Sequence, residues 1–126
     1  MLTFEILADP IPLSRPKFSG HRAYLPARSR EYRELVQVVV QSIMRSRHIA
    51  PLTGELNCRL SFYRRFKTTA RNFGDIDNHV KAILDALNGL LFHDDAQIVS
   101  LTAEKFTDRN RPRTVIAFTN KNTAEP

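Results

Sequence analysis

Five aspartates are concentrated in one short part of this sequence. They lie within the 27 positions of FGDIDNHVKAILDALNGLLFHDDAQIV, residues 73–99, although the whole chain carries a formal net charge of +6. Carboxylates that lie close together repel one another unless a cation binds between them. This acidic stretch is therefore a candidate metal site. Its oxygen ligands suit magnesium or manganese, and such ions in a basic protein point to phosphodiester chemistry.

Asp75 and Asp77 form the first group of carboxylates in the acidic stretch. They come directly before a predicted helix, where Asp77 or Asn78 could cap the exposed amide groups. Capping is common, but it accounts for only one aspartate of the pair. If the segment is extended, positions i and i+2 project to the same side, so that the two carboxylates converge on a cation.

Lys81 follows Asp77 by one helical turn and falls at the edge of the apolar stripe of the predicted helix. One interpretation is a surface ion pair, worth about 0.3–0.5 kcal/mol. The functional interpretation makes Lys81 a cation that faces a phosphate beside the carboxylates. Asp85 lies one turn further on and rotates away, so we expect it to pair with Lys81 or to face solvent rather than to bind metal.

Asp94 and Asp95 form the second group of carboxylates. Neighbours in an extended chain point to opposite sides, so at most one of them is expected to enter a shared site. A four-turn helix followed by a reversal does not by itself return them to Asp75, and tertiary packing would have to do so. The alternative is a polar turn, in which aspartates are frequent.

Other binding motifs do not fit the acidic stretch. A calcium-binding loop counted from Asp75 needs glycine at position six and glutamate at twelve, where the sequence has Val80 and Ala86. The four histidines are scattered and give no zinc pattern. No glycine-rich phosphate loop is present, so no nucleotide cofactor is expected. His79 and His93 flank the acidic groups and are expected to face solvent.

Changes in hydrophobic period divide the chain into strands and helices. A period of 3.6 predicts two amphipathic helices, the first with Ser29 as its N-cap, and a period of two predicts strands, one of which turns Cys58 into the core. The order β, loop, α, β, α, β, β predicts an α/β (α+β) fold, a small mixed sheet of about four strands packed with two main helices. The predicted strands cover residues 2–7, 54–66, 97–106 and 114–119, with a short extended piece at 22–25, and the helices cover 30–47 and 78–91.

The size and composition of the chain indicate a single cytoplasmic domain. Its 126 residues suit one domain over 1–120, with a flexible tail over 121–126. No stretch approaches the roughly 20 apolar residues of a membrane span. The first residues lack the pattern of a secretory signal, and the single cysteine excludes an internal disulfide.

The basic charge of the chain indicates its class of partner. Nineteen Lys and Arg residues oppose thirteen acidic ones, and most of the nineteen are Arg, which suits phosphate groups. Such a balance favours nucleic acid through counterion release. The alternative is a solvated basic surface that serves only solubility.

The motifs of the acidic stretch resemble a known family. DIDN at 75–78, the lysine at position 81 and DDAQ at 94–97 together resemble the signature of the RusA-type Holliday-junction resolvases, small endonucleases of bacteria and prophages. The resemblance extends to EYRELV in the first helix and to the strand ending near Lys105. It implies a homodimer that binds four-way DNA junctions and makes paired, symmetric nicks with Mg²⁺ or Mn²⁺, in DNA recombination and repair.

The resemblance also implies roles for individual residues. Asp75, Asp77 and Asp95 match the metal-binding aspartates, and Lys81 matches the essential lysine of the family. Asp94 is a further candidate ligand, and His93 departs from the apolar residue that would be unsurprising before the acidic pair. The candidates for contacts to the DNA backbone are Arg15, Arg22, Arg64, Arg65 and Arg71.

Two other functions stay open at the level of sequence. The first is a metal-dependent nuclease of the same fold that acts on flaps or other branched DNA. The second is a DNA-binding module without catalysis, in which the acidic residues are only caps and turns.

Overall fold

The computed structural model describes residues 1–15 and 17–121. Most of the tail expected over 121–126 lies outside the described residues. The elements are β1 (Leu2–Ile6), β2 (Lys17–Ser19), β3 (Arg22–Tyr24), α1 (Ala27–Ser46), β4 (Leu56–Arg64), α2 (Ile76–Leu87), β5 (Ile98–Thr107) and β6 (Arg113–Asn120), with two short 3₁₀ helices at Arg71–Phe73 and Asp95–Gln97.

Four strands form one mixed sheet in the order β1-β6-β4-β5. β6 pairs antiparallel with both β1 and β4, whereas β4 and β5 are parallel. The parallel pair requires a crossover connection, and α2 supplies it. The prediction of a mixed sheet of four strands with two main helices is confirmed. The short extended piece is part of a separate hairpin, β2–β3.

Both helices cover the same face of this sheet. The inward side chains of β4 are Leu56, Cys58, Leu60 and Phe62, and they pack in one core with residues of α1 and α2. Cys58 is therefore a core residue as predicted, and burial raises the pKa of its thiol to about 12. Alternation in β4 places its other side chains on the opposite face of the sheet, where they are half-buried or exposed.

The helices begin earlier than predicted. Pro26 takes the N-cap position of α1, and the predicted cap, Ser29, is buried in the first turn. The hydroxyl of Ser29 instead accepts a hydrogen bond from the backbone N–H of Ser14, at 3.1 Å. A contact with the preceding loop thus replaces the predicted helix cap.

The second helix also ends earlier than predicted, at Leu87 rather than near Leu91. Gly89, with φ +77°, turns the chain after the helix. Leu91 and Phe92 are nevertheless fully buried, because the turn packs them into the core. Their apolar pattern is therefore a property of the turn and not of the helix.

Among the described residues, no helix is long and apolar enough to cross a membrane.

Candidate metal centre

A glycine turn precedes the first aspartate of the acidic stretch. Gly74 has φ +93°, a conformation that other residues rarely adopt. A Cβ atom at this position would lie 2.8 Å from Cγ of Pro12 and 3.0 Å from Nε2 of His79. Conformation and space therefore both require glycine at the position directly before Asp75.

Asp75 and Asp77 lie at the N-terminus of α2, and both are exposed. Asp75 is the N-cap residue, but no side chain makes a capping hydrogen bond to the helix. The expectation that Asp77 or Asn78 caps the helix is wrong. Asp77 is already helical, so the condition of an extended segment, under which the two carboxylates would project to the same side, is not met. Both carboxylates are left available at a helix end that favours negative charge.

Lys81 shares a face of α2 with Asp77. The two residues line an open groove of about 390 Å³ between α2 and the edge strand β5. Lys81 is exposed, and among the described residues it forms no ion pair with Asp85. Its ammonium group is therefore free to face a phosphate beside the carboxylate of Asp77. The other residues that line the groove are Ile76, Val80, Leu101 and Ala103.

Asp94 caps the 3₁₀ helix at Asp95–Gln97. Its Oδ1 accepts from the N–H of Ala96 at 3.1 Å, while Oε1 of Gln97 accepts from the N–H of Asp94 at 3.0 Å. The hydrogen bond from Ala96 is the main cause that lowers the pKa of Asp94. The interpretation as a polar turn thus describes Asp94, whose carboxylate already has a structural role.

Asp95 lies beside the C-terminal end of α2. Its N–H donates to Oδ1 of Asn88 at 2.9 Å. Contact with Asp94 raises the pKa of Asp95, and the negative charge of Asp85 adds to the effect. Asn88 follows Asp77 by eleven residues, which is roughly 16 Å along a helix that rises about 1.5 Å per residue.

The three aspartates predicted as metal ligands do not meet within one chain. Asp75 and Asp77 lie at one end of α2, and Asp95 lies beside the other. Within residues 1–15 and 17–121, no three His, Cys, Asp or Glu side chains are grouped so that they could hold a metal ion. Tertiary packing therefore does not bring the two acidic groups together in a single copy.

His79 is buried, so the expectation that it faces solvent is wrong. Its side chain is 1% exposed, and Nε2 donates to the carbonyl of Phe73 at 2.7 Å. The ring packs against Phe62 and Phe73, with centroid distances of 5.0 and 5.6 Å. Burial lowers the pKa of His79 to about 4, so the imidazole is neutral at pH 7. His93 is exposed, as expected.

Arg64 is also buried and does not fit the role of a DNA contact. It is 4% exposed, and its guanidinium forms two hydrogen bonds with Asp9, of 3.1 and 2.8 Å. The strand pattern contained the signal, because Arg64 continues the inward alternation of β4 that runs through Phe62. The other candidates for DNA contacts are all exposed, namely Arg15, Arg22, Arg65 and Arg71.

Sequence reasoning missed a second cation at the site. Nζ of Lys105 donates to the carbonyl of Gly74 at 3.1 Å and lies 4.8 Å from the ring centroid of Phe73. Lys105 is the β5 partner of Phe62 and therefore points to the covered face of the sheet. Lys105 is 31 residues from Gly74 in the sequence, so no local sequence pattern could predict this contact.

Comparison with known proteins identifies the class of the protein. The model of the family described as "Endodeoxyribonuclease RusA" matches residues 8–119, nearly the whole chain. The chain therefore belongs to the RusA family of endodeoxyribonucleases, as the motifs of the acidic stretch predicted.

A curated relative gives a second comparison. The chain is 26% identical, over an alignment of 126 positions, to the "Uncharacterized protein YqaN" of Bacillus subtilis (strain 168). The match covers 83% of this chain and 87% of the relative. The similarity therefore extends over most of both proteins.

Proposed function

We propose that this protein resolves four-way DNA junctions in the cytoplasm by paired, symmetric nicks, in DNA recombination and repair. It acts as a homodimer that uses Mg²⁺, for which Mn²⁺ can substitute. Membership of the RusA family supports the nuclease chemistry. The observation that carries the proposal is the exposed pair Asp75 and Asp77 beside Lys81 at the N-terminus of α2. Neither carboxylate is used in a capping hydrogen bond to the helix.

Asp75 and Asp77 would hold the metal ion, because exposed carboxylate oxygens are the ligands that Mg²⁺ and Mn²⁺ prefer. When bound, the ion would act as a Lewis acid that polarises the phosphodiester and activates water. Lys81 faces the phosphate from the same groove and stabilises the negative charge that develops on it. The exposed arginines bind the DNA backbone and hold the junction over these residues.

A second copy of the chain would supply the third carboxylate, Asp95. This placement is supported by the separation of the two acidic groups within one chain. The edge strand β5 borders the groove of Asp77 and Lys81, and its residues Val99 and Leu101 are 44% and 45% exposed. An edge strand that exposes apolar side chains can pair with another copy. A two-fold dimer would also match the near two-fold symmetry of a junction.

The function is tested with a labelled, mobile four-way junction incubated with and without Mg²⁺, mapping nicks on all strands. Symmetric, paired nicks that require Mg²⁺ are expected. Asp75→Asn should abolish nicking while junction binding stays intact or becomes tighter, because the carboxylates repel DNA when no metal is bound. Glu34→Gln, which removes an exposed acidic charge from α1, is the matched control and should nick normally. Retained nicking by Asp75→Asn would remove Asp75 from the site.

The shared site is tested by mixing two inactive variants, Asp75→Asn and Asp95→Asn. If each site combines carboxylates from two copies, a mixed dimer contains one intact site and makes single nicks. If each site lies within one copy, both sites of the mixed dimer are damaged and no nicking returns. The second result would rule out the shared site but not the nuclease.

Two alternatives are outcomes of the same experiments. Cleavage of flaps or other branched DNA in preference to junctions, in a substrate panel, would indicate a branched-DNA nuclease. Junction binding without metal-dependent cleavage, and without thermal stabilisation by Mg²⁺, would indicate a binding module.

A further inference from the structure

The backbone directly before Asp75 is held by side chains from three different elements. Three consecutive carbonyl groups, those of residues 72–74, accept hydrogen bonds from buried or half-buried side chains. We call the three donors, Arg64 of β4, His79 of α2 and Lys105 of β5, the carbonyl clamp. Their bonds are Arg64 to Asn72 (3.1 Å) and Phe73 (2.8 Å), His79 to Phe73 (2.7 Å) and Lys105 to Gly74 (3.1 Å).

Such use of charged side chains is unusual for a loop. Loop carbonyls are ordinarily satisfied by water, and Lys and Arg are rarely taken from solvent unless they are paired. Arg64 is paired with Asp9. Within the part of the chain that the structure describes, Lys105 has no carboxylate partner, and its ammonium group meets only a carbonyl and the ring of Phe73. The partial burial of this charge therefore serves the backbone at Gly74.

The clamp acts directly on the position of Asp75. A peptide unit is planar, so the direction of the Gly74 carbonyl also determines the direction of the Asp75 N–H and the place of its Cα atom. Glycine at position 74 is free to rotate more widely than any other residue. A hydrogen bond to the carbonyl of Gly74 restricts this rotation. Rotation at Gly74 would otherwise move the adjacent Asp75 and its carboxylate.

We propose that Lys105 is a positioning residue for the metal-binding carboxylate of Asp75. It holds the peptide plane between Gly74 and Asp75, while Arg64 and His79 hold the preceding carbonyls. Lys105 acts through the backbone and touches neither DNA nor metal. The inference rests on the proposed function, because it concerns the same carboxylate pair, but part of its test is independent of nicking.

The main variant is Lys105→Met, which keeps an unbranched apolar side chain of similar length but removes the donor and the charge. We expect the Mg²⁺ concentration for half-maximal nicking to rise about 10-fold, as for residues that orient metal ligands. Junction binding in EDTA should change less than about 2-fold, since a residue that does not touch DNA adds little to counterion release. Lys105→Arg, which restores a donor, should recover most of the loss. Lys121→Met, which removes an exposed lysine, is the control for lost charge.

The independent readouts use the same variants without DNA. Mn²⁺ affinity, measured from the free-ion electron paramagnetic resonance signal, should fall about 10-fold in Lys105→Met. Amide hydrogen exchange at residues 74–77 should become faster, whereas exchange in the strands stays unchanged. If Lys105→Met does not fold, Lys105→Gln replaces it, because its shorter amide does not reach the same carbonyl. The same results are expected for it.

The outcomes separate the two hypotheses. Unchanged Mn²⁺ affinity and unchanged exchange at 74–77 would overturn the positioning role. Weaker junction binding in EDTA with unchanged Mn²⁺ affinity would also overturn it and make Lys105 a DNA contact. If the wild-type protein does not nick junctions but Lys105→Met still loses Mn²⁺ affinity, the proposed function fails and the positioning role stands.

Discussion

Mild acid should destabilise this protein through a single buried imidazole. His79 is 1% exposed, and its Nε2 donates to the carbonyl of Phe73. Its Nδ1 has no hydrogen-bond partner among the described residues. Burial lowers the pKa of His79 from 6.5 to about 4, and the positive charges of Arg64 and Lys105 act in the same direction. The folded protein therefore resists a proton that the unfolded chain accepts.

The sign and size of the effect follow from this difference in pKa. Well above pH 6.5 His79 is neutral in both states. As the pH falls below 6.5, the unfolded chain binds a proton that the folded state excludes, so the free energy of unfolding decreases by up to about 1.4 kcal/mol per pH unit. The decrease ends near the folded-state pKa of about 4. Over the whole interval it amounts to about 3 kcal/mol.

Urea denaturation of the wild-type protein and of His79→Gln between about pH 8 and pH 4.5 measures this term. The variant keeps an amide donor for the Phe73 carbonyl but does not titrate. Because carboxylates contribute similarly to both proteins, the difference in unfolding free energy isolates His79. We expect the advantage of the wild type at pH 8 to shrink by about 2–3 kcal/mol at pH 4.5. An advantage that stays constant with pH would refute the reasoning.

Three further substitutions test how the chain around the site is held, each by urea denaturation. Arg64→Leu should lower the free energy of unfolding by about 3 kcal/mol, because it leaves the Asp9 carboxylate and the Asn72 carbonyl without their donor, and a loss below 1 kcal/mol would contradict this. Gly74→Ala should lower the free energy of unfolding by about 2–4 kcal/mol. The control, Gly20→Ala, is also at positive φ but has open space around it, and should lower the free energy of unfolding by only about 1 kcal/mol. Equal costs at the two glycines would mean that the close approach of Pro12 is unimportant. Tyr32→Phe should lower the free energy of unfolding by about 1–2 kcal/mol, since it removes the partner of the buried Thr114 hydroxyl, and a neutral result would show that this hydroxyl finds another partner.

Local patterns in the sequence were sufficient for the sheet and the approximate helices. Alternation in β4 predicted Cys58 as a core residue, and burial at 4% exposure agrees. Side chains two apart in a strand share a face whatever the rest of the chain does, so such a pattern is reliable. The spacing of the motifs likewise predicted the family, because DIDN, the following lysine and DDAQ are read directly from the sequence. The two aspartates of DIDN and Lys81 then lie at one end of α2, as their separation of a turn requires.

Only the tertiary structure decided which polar side chains are buried and which acidic groups meet. Arg64 and His79 looked like surface residues, but Asp9, 55 residues from Arg64, and the carbonyl of Phe73 make their burial tolerable. A buried polar group is stable only when a partner is present, and these partners come from distant parts of the chain or from a loop of irregular conformation. The length of α2 similarly separates Asp95 from Asp75. Residue types therefore predicted the chemistry of the acidic stretch, whereas packing determined that one copy holds its carboxylates apart.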